Sequence, residues 1–423
     1  MTRFAVLAVA LLASPALAQD FAPNRLLVVG RDSLSLIQLS EAGAQVAETD
    51  LGGAGHRFGA AVAPDGRLYV ANWDIDRVEV FAPSGAKQGE IGAGTLIDAP
   101  AFVAIGPNGN VYVSATTLQS VLEYTPSGSF VRFIGIVSGL TQPTGLAFGP
   151  DGHLFVTSND QDRVYEFDAD GGTVRKIDVG AALDDPYGVA FGPDGNLYVA
   201  SFSTDRIVRI TPVGAAGTLV NEIGAGTALA GPIDVVIGPN GNVFTTSFAR
   251  NSVFEFTTGG TFVAEHPVSS TATAVPRPTG LVVAPFRFKA KLTGTVARKG
   301  AAVHTIKDKG AVLSVSPGSC CAMLSLANDP ASSVDLTDEF ETSSIVLRGW
   351  ETAKDPLATK RWIQGAHVPN EAAWNPVGSV ALQLTGKLGL AGAFVPKSVS
   401  GTMHFAASGV IASAKITTAG LVK

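Results

Sequence analysis

The chain has 423 residues, enough for two or more domains, and its 30 basic and 36 acidic residues leave a net charge of −6. The charge is divided unevenly, with about −12 before residue 286 and about +6 from there on. Because nucleic-acid binding draws its affinity from neutralised phosphates, an acidic first part and a second part whose basic residues are scattered argue against a nucleic-acid partner.

The first 18 residues have the pattern of a secretory signal peptide. Arg3 supplies a positive charge, residues 4–13 are uninterruptedly apolar, and Ala16-Leu17-Ala18 is an A-x-A cleavage signal. We therefore expect a mature chain that begins at Gln19 and is exported to the periplasm or the extracellular space. No stretch approaches the 20 apolar residues of a transmembrane helix, so the sequence predicts no transmembrane segment.

A repeat dominates residues 59–260. Pro-Asp-Gly or Pro-Asn-Gly occurs five times, with prolines 43, 43, 43 and 46 residues apart. Each copy contains a short apolar strand, this turn, an alternating strand, a polar turn, a third strand, a glycine turn and a weaker fourth strand. Four antiparallel strands in about 43 residues is the period of a β-propeller blade. The polar turn ends in Asp-Arg or a related pair at the same place in every copy, so we interpret that pair as a structural turn device.

The two ends of the repeat region complete one more blade. Residues 279–285 repeat only the first strand of the unit, and residues 24–29 resemble the second strand without its first. The sequence therefore predicts an all-β fold with a six-bladed β-propeller over residues 19–285, whose last blade is closed by amino-terminal and carboxy-terminal strands.

Two units carry a family resemblance, Gly145-LAFGPDGHLFVTSNDQDRVYEF and Gly188-VAFGPDGNLYVASFSTDRIVRI. They resemble the NHL repeats of six-bladed propellers, and the resemblance covers about residues 24–285. Propellers of this superfamily include virginiamycin B lyase-like proteins, gluconolactonase-like proteins, amidating lyases and binding scaffolds. The resemblance therefore implies the fold and leaves the activity open.

The loops that enter each first strand and those that leave each second strand share one face around the central channel, which we call the mouth. Acids, amides and aromatic side chains at the mouth predict a ligand-binding site. The candidate ligand-binding residues are His56, Arg57, Trp73, Asn159, Asp185, Tyr187, Phe202, Asp234, Phe248 and Arg277. Asp234 stands where four other blades have glycine, so it is also the candidate ligand for a divalent cation, Ca²⁺ or Mg²⁺. The sequence identifies no cofactor firmly.

The sequence favours a binding module over an enzyme. The favoured hypothesis is an exported propeller that binds a peptide, a glycan or a protein partner through the mouth. The alternative is a lyase or hydrolase, virginiamycin B lyase-like or lactonase-like, with a divalent cation at the mouth. The resemblance to virginiamycin B lyases implies a His/Glu base, for which Glu265-His266 is the one weak match. The sequence identifies no catalytic residue and predicts no oligomeric state.

Residues 286–423 form a separate β-rich domain that resembles no family known to us. Alternating runs such as residues 289–296 and 379–384, with glycine-rich turns, predict an antiparallel β sandwich or a small barrel. Cys320 and Cys321 are the only cysteines. A vicinal disulfide between them would be strained, because neighbouring Cα atoms lie about 3.8 Å apart, so a structural thiol pair and a redox switch both stay open.

Overall fold

The computed structural model describes residues 25–284, apart from short gaps at 33–34, 41–42, 54, 64–65, 93–95, 107, 150–151, 193, 215, 239 and 272–275, and eight further strands between residues 286 and 421. The predicted signal peptide and the pair Cys320–Cys321 lie outside the described residues. In the part of the chain that is described, no helix has the length and apolar character needed to cross a membrane.

Six four-stranded antiparallel sheets form a ring in which the innermost strands of neighbouring blades contact one another, which confirms the predicted propeller. Blade 1 contains β4 (Arg57–Val62), β5 (Leu68–Asn72), β6 (Arg77–Phe81) and β7 (Lys87–Ile91), and blade 2 contains β8 (Pro100–Ile105), β9 (Val111–Ala115), β10 (Ser120–Tyr124) and β11 (Phe130–Ile134). Blade 3 contains β12 (Pro143–Phe148), β13 (Leu154–Ser158), β14 (Arg163–Phe167) and β15 (Thr173–Ile177), and blade 4 contains β16 (Pro186–Phe191), β17 (Leu197–Ser201), β18 (Arg206–Thr211) and β19 (Thr218–Ile223). Blade 5 contains β20 (Val235–Ile237), β21 (Val243–Ser247), β22 (Ser252–Phe256) and β23 (Phe262–Pro267), and blade 6 contains β24 (Pro278–Val283), β1 (Leu26–Gly30), β2 (Ser35–Leu39) and β3 (Gln45–Asp50). Short 3-10 turns span Trp73–Ile75, Asn159–Gln161 and Gly180–Ala182.

Blade 6 joins the two ends of the propeller. Strand β1 pairs antiparallel with β24, and Leu26 lies opposite Val283 while Val28 lies opposite Leu281. The side chains of Leu26, Val28 and Leu281 are buried. The predicted closure is therefore confirmed, and it gives β24 and β1 partners that they would otherwise lack.

The polar turn of each unit links its blade to the next. Asp76, Asp162 and Asp205 adopt positive φ values of 52–56°. Their carboxylates accept hydrogen bonds from backbone N–H groups that lead into the following blade, at distances of 2.7–2.9 Å. Asp and Asn tolerate this left-handed backbone better than most residues because their short side chains hydrogen-bond locally. The predicted structural role of the repeated pair is confirmed, and it fixes the loops of the mouth.

Glycine on the innermost strands lets neighbouring blades approach closely. A Cβ atom placed on Gly145 would lie 2.2 Å from the carbonyl oxygen of Tyr187, and one on Gly280 would lie 2.5 Å from that of Phe58. No side chain fits at these positions, because both obstacles are backbone atoms. The inner strands therefore contact one another below the mouth.

The remaining strands are β25 (Phe286–Arg298), β26 (His304–Ser316), β27 (Ala322–Asn328), β28 (Ser344–Glu351), β29 (Lys360–His367), β30 (Gly378–Leu388), β31 (Phe394–Ala407) and β32 (Val410–Leu421). They pair antiparallel in sequence order, and β32 returns to pair with β25. Their backbones therefore form a closed eight-stranded barrel.

Candidate ligand-binding site at the propeller mouth

A cavity of about 290 Å³ lies at the mouth. It is lined by residues of five blades: Arg31, His56, Phe58, Trp73, Asp74, Ala101, Thr116, Gln142, Thr144, Asn159 and Tyr187. Four of the predicted ligand-binding residues, His56, Trp73, Asn159 and Tyr187, are among them. The volume is at the lower end of the range for small-molecule sites, and an apolar lining with a few polar groups is typical of such sites.

Aromatic rings form one part of this lining. The ring centroids of Phe58 and Trp73 lie 5.4 Å apart. Tyr187 packs edge-on against Phe202 at 5.7 Å, and Phe202 contacts Phe248 at 6.5 Å. The predicted residues Phe202 and Phe248 thus extend an aromatic row that begins at Tyr187 in the cavity wall. Flat apolar faces beside polar groups can hold an aromatic or sugar ring.

His56 is held in a fixed orientation at the cavity wall. Its Nδ1 lies 3.0 Å from Oδ1 of Asp74, and its backbone N–H donates to Oδ2 of the same carboxylate at 3.2 Å. Asp74 occupies the 3-10 turn directly after β5, and the N–H of Trp73 donates to the His56 carbonyl oxygen at 2.9 Å. When one imidazole nitrogen is bound to a carboxylate, the other is the atom that exchanges a proton or meets a ligand. In His56 that atom is Nε2.

A second carboxylate, Asp32, lies between His56 and Arg277. Its Oδ1 is 3.5 Å from Nε2 of His56, and its Oδ2 is 3.0 Å from Nε of Arg277. The guanidinium of Arg277 also lies over the ring of Phe248, 5.5 Å from its centroid. The predicted residue Arg277 therefore joins the aromatic row to the carboxylate beside His56. His56, Asp32 and Asp74 are each about one-third to two-fifths exposed, and His56 and Asp74 line the cavity.

Arg57 and Asp185 do not line the cavity. The side chain of Arg57 is fully buried, its Nε lies 2.8 Å from Oε2 of Glu79, and its Nη2 donates to the carbonyl oxygen of Gly52. Asp185 turns its backbone into the left-handed region at a φ of 49°, and its carboxylate accepts the hydroxyl hydrogen of Ser203. Burial first and the negative charge of Asp185 second raise the pKa of Tyr187, which keeps its hydroxyl protonated.

Asp234 lies on the inner wall between blades 5 and 6. Its Oδ1 accepts the N–H of Val235 at 2.8 Å, and its Oδ2 accepts the N–H of Leu281 at 2.7 Å. Burial raises the pKa of its carboxyl to about 7, although the two N–H groups act in the opposite direction. Both oxygens are thus bound to the backbone. Among the residues that the structure describes, no three His, Cys, Asp or Glu side chains come together as a metal site. A divalent cation at Asp234 stays a prediction.

Several residues in or beside the cavity wall are absent from the set predicted from sequence. Arg31 and Asp32 follow β1, the second strand of blade 6, and so occupy the same place as Trp73 in blade 1. The rule that mouth residues follow the second strand of each blade predicts both residues when it is applied to blade 6. Asp74 is the acidic residue in the turn after Trp73. Glu265 and His266 lie on the outermost strand β23, where His266 contacts the buried Glu255, so they do not reach the mouth.

The fold and the cavity together define a six-bladed propeller with a cavity at its mouth. The model of the virginiamycin B lyase family matches residues 44–288. The chain therefore belongs to the virginiamycin B lyase family.

Solved structures share the propeller fold at low sequence identity. The virginiamycin B lyase of Staphylococcus aureus is 17% identical with a TM-score of 0.47, over 69% of this chain and 93% of that one. A nidogen/laminin complex gives 17% identity and a TM-score of 0.51, over 62% of this chain and 98% of that one. A protein of unknown function from Bacteroides caccae gives 14% identity and a TM-score of 0.49, over 62% of this chain and 98% of that one. No curated protein sequence matches the chain.

Proposed function

We propose that the mouth cavity is the active site of a lyase, with His56 as the general base. The observation that carries this proposal is the His56–Asp74 pair at the cavity wall, where the carboxylate binds both the imidazole Nδ1 and the backbone N–H of the same residue. Membership of a family named for a lyase supports it.

The chemistry needs a base that is held in place and open to the substrate. A lyase breaks a bond by elimination, in which a base removes a proton while the leaving group departs. A carboxylate on Nδ1 leaves Nε2 as the proton acceptor and stabilises the imidazolium that forms. The carboxylate of Asp32 lies 3.5 Å from Nε2, so it would stabilise the positive charge of the imidazolium after the proton transfer.

The test is product analysis with virginiamycin B, the compound in the family's name. Elimination adds no water, whereas hydrolysis adds one molecule of water, so mass spectrometry separates a lyase from a hydrolase. We expect His56→Gln and Asp74→Asn to lower the rate by about 10²- to 10⁴-fold. The matched control is His153→Asn, because His153 lies in a hairpin turn and binds Glu166, and three other blades carry Asn there. Full activity of His56→Gln would refute the role of His56.

A second candidate function is binding without chemistry, for a peptide, a glycan or a protein partner. The row of Tyr187, Phe202 and Phe248 favours it, since aromatic faces next to an arginine are typical of recognition surfaces. Wild-type protein that retains a ligand unchanged, and loses it when Phe202 and Phe248 are replaced by alanine, would support this function. Release of a product of altered structure would contradict it.

We also propose that the protein is exported after removal of residues 1–18. The support is the charged start, the apolar run and the A-x-A signal. Sequencing the amino terminus of the protein recovered from the periplasm or medium should give Gln19. Recovery of the cell-associated protein with Met1 intact would overturn it.

A further inference from the structure

Arg31 is a cation in the cavity wall for which the described residues supply no anion. It follows β1, and its guanidinium lies over the ring of Phe58, 5.7 Å from the centroid. Its Nε is buried and has no hydrogen-bond partner in the described part of the chain. No ion pair joins Arg31 to a carboxylate of the described residues, although most arginines of the propeller have one. An unpaired buried donor is costly, so such a group points to a partner that arrives from outside.

The carboxylates of Asp32 and Asp74, near Arg31, contact other residues. Asp32, the next residue in the chain, contacts Arg277 through Oδ2 and His56 through Oδ1. Asp74 contacts His56 through both oxygens. One other side chain of the cavity wall has a buried polar atom without a partner, and that atom, Nδ2 of Asn159, is also a donor. The unsatisfied groups in the wall are therefore donors, and they require acceptors from the ligand.

We propose that the mouth cavity selects ligands that carry a carboxylate beside an aromatic ring, with Arg31 as the residue that binds the carboxylate. A carboxylate is acceptor-only and matches the planar fork of a guanidinium. Phe58 and Trp73, 5.4 Å apart, supply the surface for the ring. A cavity of about 290 Å³ suits a ligand the size of an aromatic amino acid or the end of a peptide. This inference depends on the proposed function only for the location of the site.

The test compares two probes that differ only in the terminal group, the carboxylate of N-acetyl-tryptophan and the neutral amide of N-acetyl-tryptophanamide, by isothermal titration calorimetry. We expect wild-type protein to bind the carboxylate about 10- to 100-fold more tightly than the amide. Arg31→Gln should remove this preference, mainly by weakening the binding of the carboxylate, and Arg31→Lys should keep part of it. The control Arg250→Gln removes an equal charge from an exposed arginine that pairs with Glu265 and lies outside the cavity lining, and it should keep the full preference.

Three results would overturn the proposal: equal affinity of wild-type protein for both probes, no binding of the carboxylate at millimolar concentration, or an unchanged preference in Arg31→Gln. The first two need no variant, so a folding defect cannot obscure them. Because the assay measures binding alone, it is independent of turnover. His56→Gln that lacks lyase activity but keeps the carboxylate preference would separate the two proposals.

Discussion

Replacing Asp234 by asparagine should change how the stability of the propeller depends on pH. The carboxyl is buried on the inner wall, where it accepts N–H groups from Val235 of blade 5 and Leu281 of blade 6. Burial raises its pKa from 3.8 to about 7. Asparagine has nearly the same shape and does not titrate.

The sign and size follow from proton linkage. Between pH 3.8 and 7 the folded state holds a proton that the unfolded state has released, so wild-type stability falls as the pH rises through this window. A shift of about 3 pKa units corresponds to about 4 kcal/mol. The amide group of asparagine will meet one backbone N–H unfavourably, at a cost of about 1–3 kcal/mol that does not vary with pH.

The assay is urea unfolding of both proteins from pH 4 to pH 8.5. Asp234→Asn should be the less stable protein at pH 4 and should gain about 4 kcal/mol relative to wild type by pH 8. A difference between the two proteins that is constant across this range would refute the account of Asp234 as a buried carboxyl with a raised pKa.

Three further predictions concern the same ring. Glu48→Gln should show the opposite pH dependence, because hydrogen bonds from Ser270 and Thr271 outweigh desolvation and lower the pKa of Glu48 to about 2. The stabilising effect of Glu48 is present above pH 4.5 and is lost as the pH falls towards 2. Urea unfolding should therefore give wild-type protein and Glu48→Gln equal stability only near pH 2. Gly145→Ala should cost about 1–3 kcal/mol or more, because its Cβ would meet the Tyr187 carbonyl oxygen, whereas Gly89→Ala, with no atom within 4 Å, should be close to neutral in the same measurement. Melting wild-type protein with and without millimolar Ca²⁺ or Mg²⁺ tests the cation predicted at Asp234: a rise in melting temperature that Asp234→Asn abolishes would establish Asp234 as a cation ligand, whereas an unchanged melting temperature would mean that its two oxygens, which accept N–H groups, hold no cation.

The propeller was predictable because its period, turns and strand alternation repeat five times. The closure of blade 6 followed from the same pattern. Residues 279–285 match only the first strand of the unit, and residues 24–29 match the second strand without its first, so the two segments complete one blade. Repetition of this kind reports backbone geometry, which every blade shares. It reports much less about the side chains in which the blades differ.

Arg57 illustrates where the pattern ends. Its position at the start of the inner strand predicts a place at the mouth, but the pairing of β4 with β5 shifts register between Arg57 and Ala60. A bulge changes which face of a strand a side chain occupies, and the side chain of Arg57 lies buried against Glu79. The His56–Asp74 pair likewise depends on a 3-10 turn after β5, and among the described residues only blade 3 has the same turn after its second strand. Neither the register shift nor this turn could be read from strand alternation.

If His56 is the general base, the substrate must bind at the mouth beside it. The most direct measurement is a crystal structure of the His56→Gln variant soaked with virginiamycin B. We expect ligand density in the cavity between Phe58, Trp73 and Tyr187, with a hydrogen-bearing carbon atom of the ligand facing residue 56. Density confined to the opposite face of the propeller, or to the barrel of residues 286–421, would contradict it.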